Sequence, residues 1–319
     1  MASITEHNII SRREFLKRAG FAALTASVSS VLPACSVGKE ETEALHILHT
    51  NDVHSHIDPF PPHDPAYPGL GGYAPRQAFV ESLRAKHGAN NVLYFECGDM
   101  FQGTPYFNLY RGNLEMKLMN MMHVDAVTIG NHEFDNGVEG LCDCMEVANF
   151  PFISSNYLFS DARGSQLVKP YQVYERANMR IGVFGLGVAL QGLVNEANYK
   201  GVTYVDPIIA TQEMVNKLRL VEQCDLVIAL THIGYSSEGS DAMSDLKLAH
   251  LTEGIDIILG GHSHTFLQHP EFVPNRLGKT VVVNQVGYAG VNVGHLKVAR
   301  AEGRQVALLD AHCQPIQMA

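Results

Sequence analysis

From residue 44 onward the chain is built of short apolar runs separated by clusters of Gly, Asn, Asp and His, and the runs carry two different periods. Compact blocks rich in Val, Ile, Leu and Phe predict strands at 45–50, 92–97, 126–129, 152–155, 180–186, 225–231, 255–260, 280–285, 291–299 and 305–312. Stretches with apolar residues three and four apart predict helices at 75–87, 113–122, 138–148, 207–221 and 241–251. Strand and helix take turns as far as residue 251, which is the rhythm of an α/β fold. Beyond that point helices stop and the remaining strands read as hairpins. The loop at 58–72 stands apart, because Pro59, Pro61, Pro62, Pro65 and Pro68 stiffen it around His63 and Asp64. It could line the rim of a substrate cleft or serve as a rigid surface connection.

Ahead of the first strand the pattern is of another kind. Ser11-Arg12-Arg13-Glu14-Phe15-Leu16-Lys17 is followed by a mildly apolar run from Ala19 to Ala34 and then by Cys35. The double Arg, the Phe-Leu pair and the Lys resemble a twin-arginine export signal. The apolar run is too short for a transmembrane helix, which needs about 20 residues. Residues 1–34 are therefore expected to be a removed signal peptide, 35–44 a charged tether, and 45–319 the folded domain, located in the periplasm or cell envelope. Leu32-Pro33-Ala34-Cys35 resembles a lipoprotein cleavage box, in which Cys35 would be lipidated and anchor the chain to a membrane. Pro33 departs from the small residue usual there, and ordinary cleavage nearby is the alternative. The remaining cysteines, Cys97, Cys142, Cys144, Cys224 and Cys313, are odd in number and give no disulfide framework. Cys142 and Cys144 read as packing residues.

The composition of the 319 residues, 46% hydrophobic and 18% charged, is that of a globular chain. Lys and Arg number 23 against 33 Asp and Glu, and the excess of acid grows once the basic leader is set aside. Such a surface repels nucleic-acid backbones. An anionic substrate would need a locally positive site, which bound metal ions can provide. Sixteen His, an unusual number of a common metal ligand, point the same way.

The polar clusters fall directly after predicted strands, where the loops of an open α/β sheet converge on ligands. Asp52 and His54 lie two apart in extended chain and can lean to one cation. Gly98-Asp99-Met100-Phe101-Gln102-Gly103 frames a carboxylate able to bridge two metals. Asn131 in Gly130-Asn131-His132-Glu133-Phe134-Asp135 offers a neutral oxygen, while Asp135, three residues past His132, could orient its imidazole and raise its basicity. Thr231-His232 and Gly260-Gly261-His262-Ser263-His264 complete the series. Singly, Asp52 and Asp99 could be turn residues and His232 a structural histidine. Together, at successive strand ends, they are not independent accidents.

In this order the clusters resemble the calcineurin-like metallophosphoesterases. The strings Leu48-His49-Thr50-Asn51-Asp52 and Gly130-Asn131-His132-Glu133-Phe134-Asp135-Asn136-Gly137 resemble in particular the catalytic domain of the 5′-nucleotidase family, over about residues 45–315. The resemblance implies a four-layer αββα sandwich of two mixed sheets. It also implies two divalent metal ions, zinc, manganese or iron, since mixed N/O ligands suit all three. One would be held by Asp52, His54, Asp99 and His264, the other by Asp99, Asn131, His232 and His262, with Asp99 bridging. Asn131 and His132 would face the substrate phosphoryl group, and His132, oriented by Asp135, would protonate or stabilise the leaving alkoxide. His56, beside the first motif, is the one further histidine to test; the others, such as His63, His250 and His295, read as surface or core residues.

Two-domain members of that family carry a C-terminal domain that binds the nucleotide base, and no such domain is legible after His264. Three expectations follow. The chain is a stand-alone hydrolase of phosphorylated small molecules, foremost 5′-nucleotides; or it is the catalytic half of a split 5′-nucleotidase, UDP-sugar or cyclic-nucleotide hydrolase whose substrate-binding domain is a separate chain; or it is a non-catalytic metal-binding surface lipoprotein. The last should tolerate loss of His132 and Asp135, and both are present.

Overall fold

The computed structural model describes residues 9–11, 44–237, 241–301 and 305–318. The expected signal peptide, apart from 9–11, and the tether with Cys35 lie outside the described residues, save Ala44.

Two mixed sheets face each other. The first holds, in spatial order, β1 (Ile9–Ser11), β16 (Val306–Pro315), β15 (Asn292–Arg300), β2 (Ala44–Thr50), β3 (Val92–Glu96), β4 (Ala126–Thr128), β5 (Phe152–Ile153) and β7 (Val168–Lys169). The second holds β13 (Glu271–Pro274), β14 (Thr280–Asn284), β12 (Ile257–Leu259), β11 (Leu226–His232), β9 (Met179–Gly187) and β8 (Tyr171–Arg176). A small ribbon, β6 (Tyr157–Phe159) with β10 (Val202–Tyr204), completes the strands.

The expected αββα sandwich is what these sheets build. Leu45, Ile47, Leu93 and Phe95 of the first sheet meet Ile181, Val183, Ile228, Leu230 and Leu259 of the second in a core between the sheets. Alternate residues point outward, so Leu48 and Tyr94 pack under α1 (Tyr73–His87), α3 (Asn113–Met121) and α4 (Gly137–Val147) through Val80, Met116, Met119 and Leu141. On the far side Phe184, Leu186, Val227 and Ala229 pack under α6 (Pro207–Asn216) and α7 (Asp245–Leu251) through Met214, Val215 and Leu248. Central strands buried on both faces explain why 92–96 and 226–232 read as unbroken apolar runs rather than alternating ones. Cys142 and Cys144 are both buried in the first outer core, and Cys97, Cys142, Cys144, Cys224 and Cys313 are free thiols.

Two helices differ from expectation. The one expected at 207–221 is α-helical only to Asn216, and a wider π turn over Lys217–Val221 brings buried Arg219 to the carbonyls of Cys224 and Asp225 and the carboxylate of Asp256. The one expected at 241–251 begins at Asp245, because Ser244 caps it by accepting from the Lys247 amide and Asp245 turns its carboxylate inward to Thr231. Strands β6, β7, β8, β10 and β13 and the short helices α2 (Pro105–Tyr110) and α5 (Ala162–Leu167) escape a reading of apolar runs, since they are short or only partly buried.

Strands β2, β3 and β4 run parallel to each other, as do β9, β11 and β12. Their carboxyl ends emerge together where the two sheets meet, and every motif loop starts there.

Three histidines outside the donor set are buried among the described residues. His49, between the sheets, accepts from the Asn284 side-chain amide at 2.9 Å, and burial pushes it down to about 3. His46 and His295 share a hydrogen bond at 2.8 Å on neighbouring strands. Burial first, then His87 and His295, lowers His46 to about 4; burial first, then His312, does the same for His295. A histidine depressed below 6.5 is protonated more readily in the unfolded chain, so its contribution to stability is present above about pH 6.5 and is lost as pH falls toward 4. The melting temperature is expected to drop steeply between pH 6.5 and 4, and His295→Gln is expected to lessen that slope in a thermal-shift series across the same window.

Candidate metal centre

The backbone at the strand ends is where the site begins. Asp52, His54, Asp99, His262 and His264 all take positive φ, from 48° to 76°, a conformation that costs a side-chain-bearing residue on the order of 1–3 kcal/mol. Strain gathered on the residues that the motifs single out turns the chain sharply enough for each side chain to look back into one hole. Neighbouring glycines keep that hole open. A Cβ at Gly130 would sit 2.3 Å from Asp99 Oδ1, and one at Gly261 would sit 2.7 Å from the Cys97 carbonyl and 3.0 Å from Asp52 Oδ2.

Six of the seven predicted donors gather in two groups. Asp52, His54 and His264 form one group, and Asp99, His232 and His262 another, each with its candidate ligand atoms within 4.8 Å of one another. His54, Asp99 and His132 form a third group of the same tightness. His264 Nε2 is 3.3 Å from Asp52 Oδ1 and 3.0 Å from His54 Nε2. His232 Nε2 is 3.0 Å from Asp99 Oδ2 and 3.8 Å from Asp52 Oδ1, so the two carboxylates flank one imidazole.

The imidazoles are oriented by what their other nitrogen does. His232 Nδ1 donates to the Cys97 carbonyl at 2.7 Å and His54 Nδ1 to the Phe101 carbonyl at 3.1 Å, which turns both Nε2 lone pairs inward. Asn131 Oδ1 is buried with no hydrogen-bond partner. Buried polar atoms are seldom left so. Imidazole and carboxylate atoms gathered within 4.8 Å of one another, with an unpartnered amide oxygen on the residue before His132, are the fit expected of a divalent cation with mixed N and O donors.

Charge in the hole is unbalanced. Burial works against ionised Asp99, but His232, His54 and His132 outweigh it and hold its carboxyl below the ordinary range. Burial likewise lowers His232, and the Asp99 and Asp52 carboxylates overcome it, lifting the ring to about 10. His54 is pushed down by burial against the pull of Asp99 and Asp52, and burial with His232 lowers His262 to about 4.

His132 stands at the mouth. Its Nδ1 is 2.8 Å from Asp135 Oδ2, and its backbone N–H donates to Asp99 Oδ1 at 2.9 Å. The Asp135 hydrogen bond raises it to about 9, against burial and with help from Asp99. Its Nε2 can thus carry a proton toward a leaving oxygen. The chemistry that a pair of divalent cations supplies is an activated water and a clamp on phosphoryl oxygens.

Supporting residues were not picked out by the motif reading. The Glu133 carboxylate accepts from the amides of Gly130, Met100 and Asp99 at 2.6, 2.8 and 2.9 Å, and burial, then Asp99, raises it to about 7. Asn51 donates to Asp52 Oδ2 and to the Gly287 carbonyl, both at 2.6 Å. Gln285 ties the Gly261 carbonyl to Asp245. Glu133 and Asn51 lie inside the quoted strings, so adjacency was the only signal available. His56 stacks on Phe60 and is lowered to about 4 by burial and His54; it holds no carboxylate. A cavity of about 490 Å³ at the opposite ends of the strands holds Arg176, Arg180 and Arg300, but Arg180 pairs with Glu175 and Arg300 lies 3.6 Å from Asp225.

Two donor groups side by side, His54 of one lying 4.0 Å from Asp99 of the other, with a hydrogen-bonded His–Asp pair at the mouth, define a metal-dependent hydrolase site at the meeting edge of two sheets. The chain belongs to the calcineurin-like phosphoesterase family, whose pattern matches residues 45–266, and that family uses a dinuclear divalent metal centre. It is 33% identical over 275 residues to the snake venom 5′-nucleotidase of Crotalus adamanteus, covering 80% of this chain and 45% of the relative. It is 34% identical over 258 residues to the 5′-nucleotidase of Vibrio cholerae, covering 78% and 45%. The crystal structure of a 5′-nucleotidase precursor from Thermus thermophilus superposes with a TM-score of 0.76 at 33% identity, covering 86% of this chain and 54% of that one. The chain thus spans about half the length of the relatives it matches.

Glu133→Gln removes one acceptor from the amides that set Asp99. Manganese affinity is expected to fall about 10- to 100-fold, the usual effect of losing a residue that orients a ligand, as read by isothermal titration.

Proposed function

We propose that this chain is an exported two-metal phosphoesterase that releases phosphate from 5′-nucleotides. Asp52, His54, Asp99 and His264 hold one divalent ion; Asp99, Asn131, His232 and His262 hold the other. Asn131 and His132 face the phosphoryl group, and His132 protonates the departing alkoxide while Asp135 fixes its ring. The observation that carries this reading is the placement of the 2.8 Å His132–Asp135 pair directly beside both donor groups. A metal-storage site has no need of a proton donor at its mouth. Nucleotides as substrates are supported by relatives named 5′-nucleotidases.

Export rests on the twin-arginine pattern at 11–17, with lipidation of Cys35 as the anchor. Among the described residues no helix is long and apolar enough to cross a membrane. A second reading, in which a separate chain supplies the base-binding half, is favoured by Leu109 and Tyr110, 73% and 50% exposed on α2. That helix follows Thr104, which is hydrogen-bonded to the Ser55 carbonyl next to His54.

Phosphate release is expected from 5′-AMP with added manganese or zinc, tested beside UDP-glucose, 2′,3′-cyclic AMP and an aryl phosphate. No turnover of any of them with either metal sinks the reading. His132→Ala is expected to keep two metal equivalents by elemental analysis yet lose about 10²- to 10⁴-fold in kcat; loss of metal from that variant would show His132 to be a ligand instead.

A further inference from the structure

The proline-stiffened loop at 58–72 contributes nothing to the metal donors, yet it delivers aromatic rings to their rim. Tyr67 of this loop, backed by Phe60, meets Phe266, two residues past His264, and Tyr288, from the turn after β14. Tyr67 and Phe266 lie nearly parallel, with centroids 5.9 Å apart and 15° between planes. Tyr288 lies flat on the His264 imidazole at 5.2 Å and 9°. The Tyr67 and Tyr288 rings meet at 79° with centroids 5.6 Å apart, so the two parallel pairs form a corner, one wall of which ends on a metal-donor ring.

These rings are held in advance. The Asp64 carboxylate accepts from the Ala66 and Tyr67 amides at 2.9 and 2.7 Å, and Phe60 N–H donates to the Leu70 carbonyl at 2.8 Å. Gly287, at φ 92°, lets the Phe266 ring lie against bare backbone; a Cβ there would be 2.2 Å from the ring. Despite this bracing Phe266 stays 36% exposed, and Tyr67, Phe60 and Tyr288 are only partly buried. Burying an aromatic ring is favourable, and these braced rings are left partly in water. A braced, part-exposed corner of rings against a donor of the reacting centre is a surface shaped for another flat ring.

Resting on the phosphoesterase reading above, we propose that Tyr67, Phe266 and Tyr288 form a stacking platform for the leaving group, so that this chain selects phosphate esters whose alcohol carries a nucleobase or a similar aromatic ring. Stacking tolerates every base, because each has a π-face, so the platform distinguishes the presence of a ring rather than its identity. One such stack is worth about tenfold to a hundredfold in binding.

The test compares kcat/KM of the full chain, with added manganese, for 5′-AMP and ribose 5-phosphate, which differ only in the ring. Wild type is expected to prefer 5′-AMP. Phe266→Ala and Tyr67→Ala are each expected to lower the ratio of the two specificities about tenfold or more through KM for 5′-AMP, while Phe266→Tyr keeps it. A wild type with no preference, or a ratio within about twofold of wild type in both alanine variants, overturns the platform, since a merely structural rim lowers both substrates together. A wild type that hydrolyses neither ester overturns the phosphoesterase reading itself, and the platform with it.

Discussion

Two carboxylates buried in the same hole set the terms for the rest of this molecule. Asp52 and Asp99 are 0% and 2% exposed, and both lie within 4 Å of His232 Nε2. Like charges out of water oppose each other's ionisation, and burial opposes both. The arrangement is stable only with positive charge brought to it, from imidazolium when empty or from divalent cations when filled. Asn131 Oδ1, buried with no partner, suits the second solution.

Holding such a hole open takes force, and the sandwich supplies it. Left-handed backbone at Asp52, His54, Asp99, His262 and His264 would relax if those residues stood on free loops. They stand instead in tight loops that leave the ends of strands locked into three apolar cores. The strain is borne by packing elsewhere, and the donors inherit the rigidity of the sheets. Asp99 reaches its place because Asp52, His54 and Ser55 donate their amides to the carbonyls of Gly98, Asp99 and Met100, lacing one motif loop to the next.

Much of this was legible in the chain, for identifiable reasons. Strands buried on both faces are written as solid apolar runs, and the donors are residue types scarce enough to stand out at their ends. Six of the seven expected donors lie together in two groups past the strand ends. What stayed hidden was anything set by contact rather than by pattern. Edge strand β8 is half-buried along its length, so no apolar run marks it. Helix α7 starts late because a carboxylate at Asp245 is needed inside, which no periodicity reveals. The aromatic corner draws on residues as far apart as Phe60 and Tyr288, and only the fold shows that they meet. For the 58–72 loop the prolines left two readings open, the rim of a cleft and a stiff surface connection.

Glu133 has a consequence of a different kind. Its one carboxylate fixes the amides of Asp99, Met100 and Gly130, and Asp99 in turn fixes the amide of His132. Two loops from different strands are thus measured from a single datum. Positional errors in them are correlated, and the spacing between the Asp99 carboxylate and the proton-bearing ring is set by the rotamer of one side chain rather than by the summed tolerances of two loops. Chain inserted beyond those loops can wander without carrying that spacing with it.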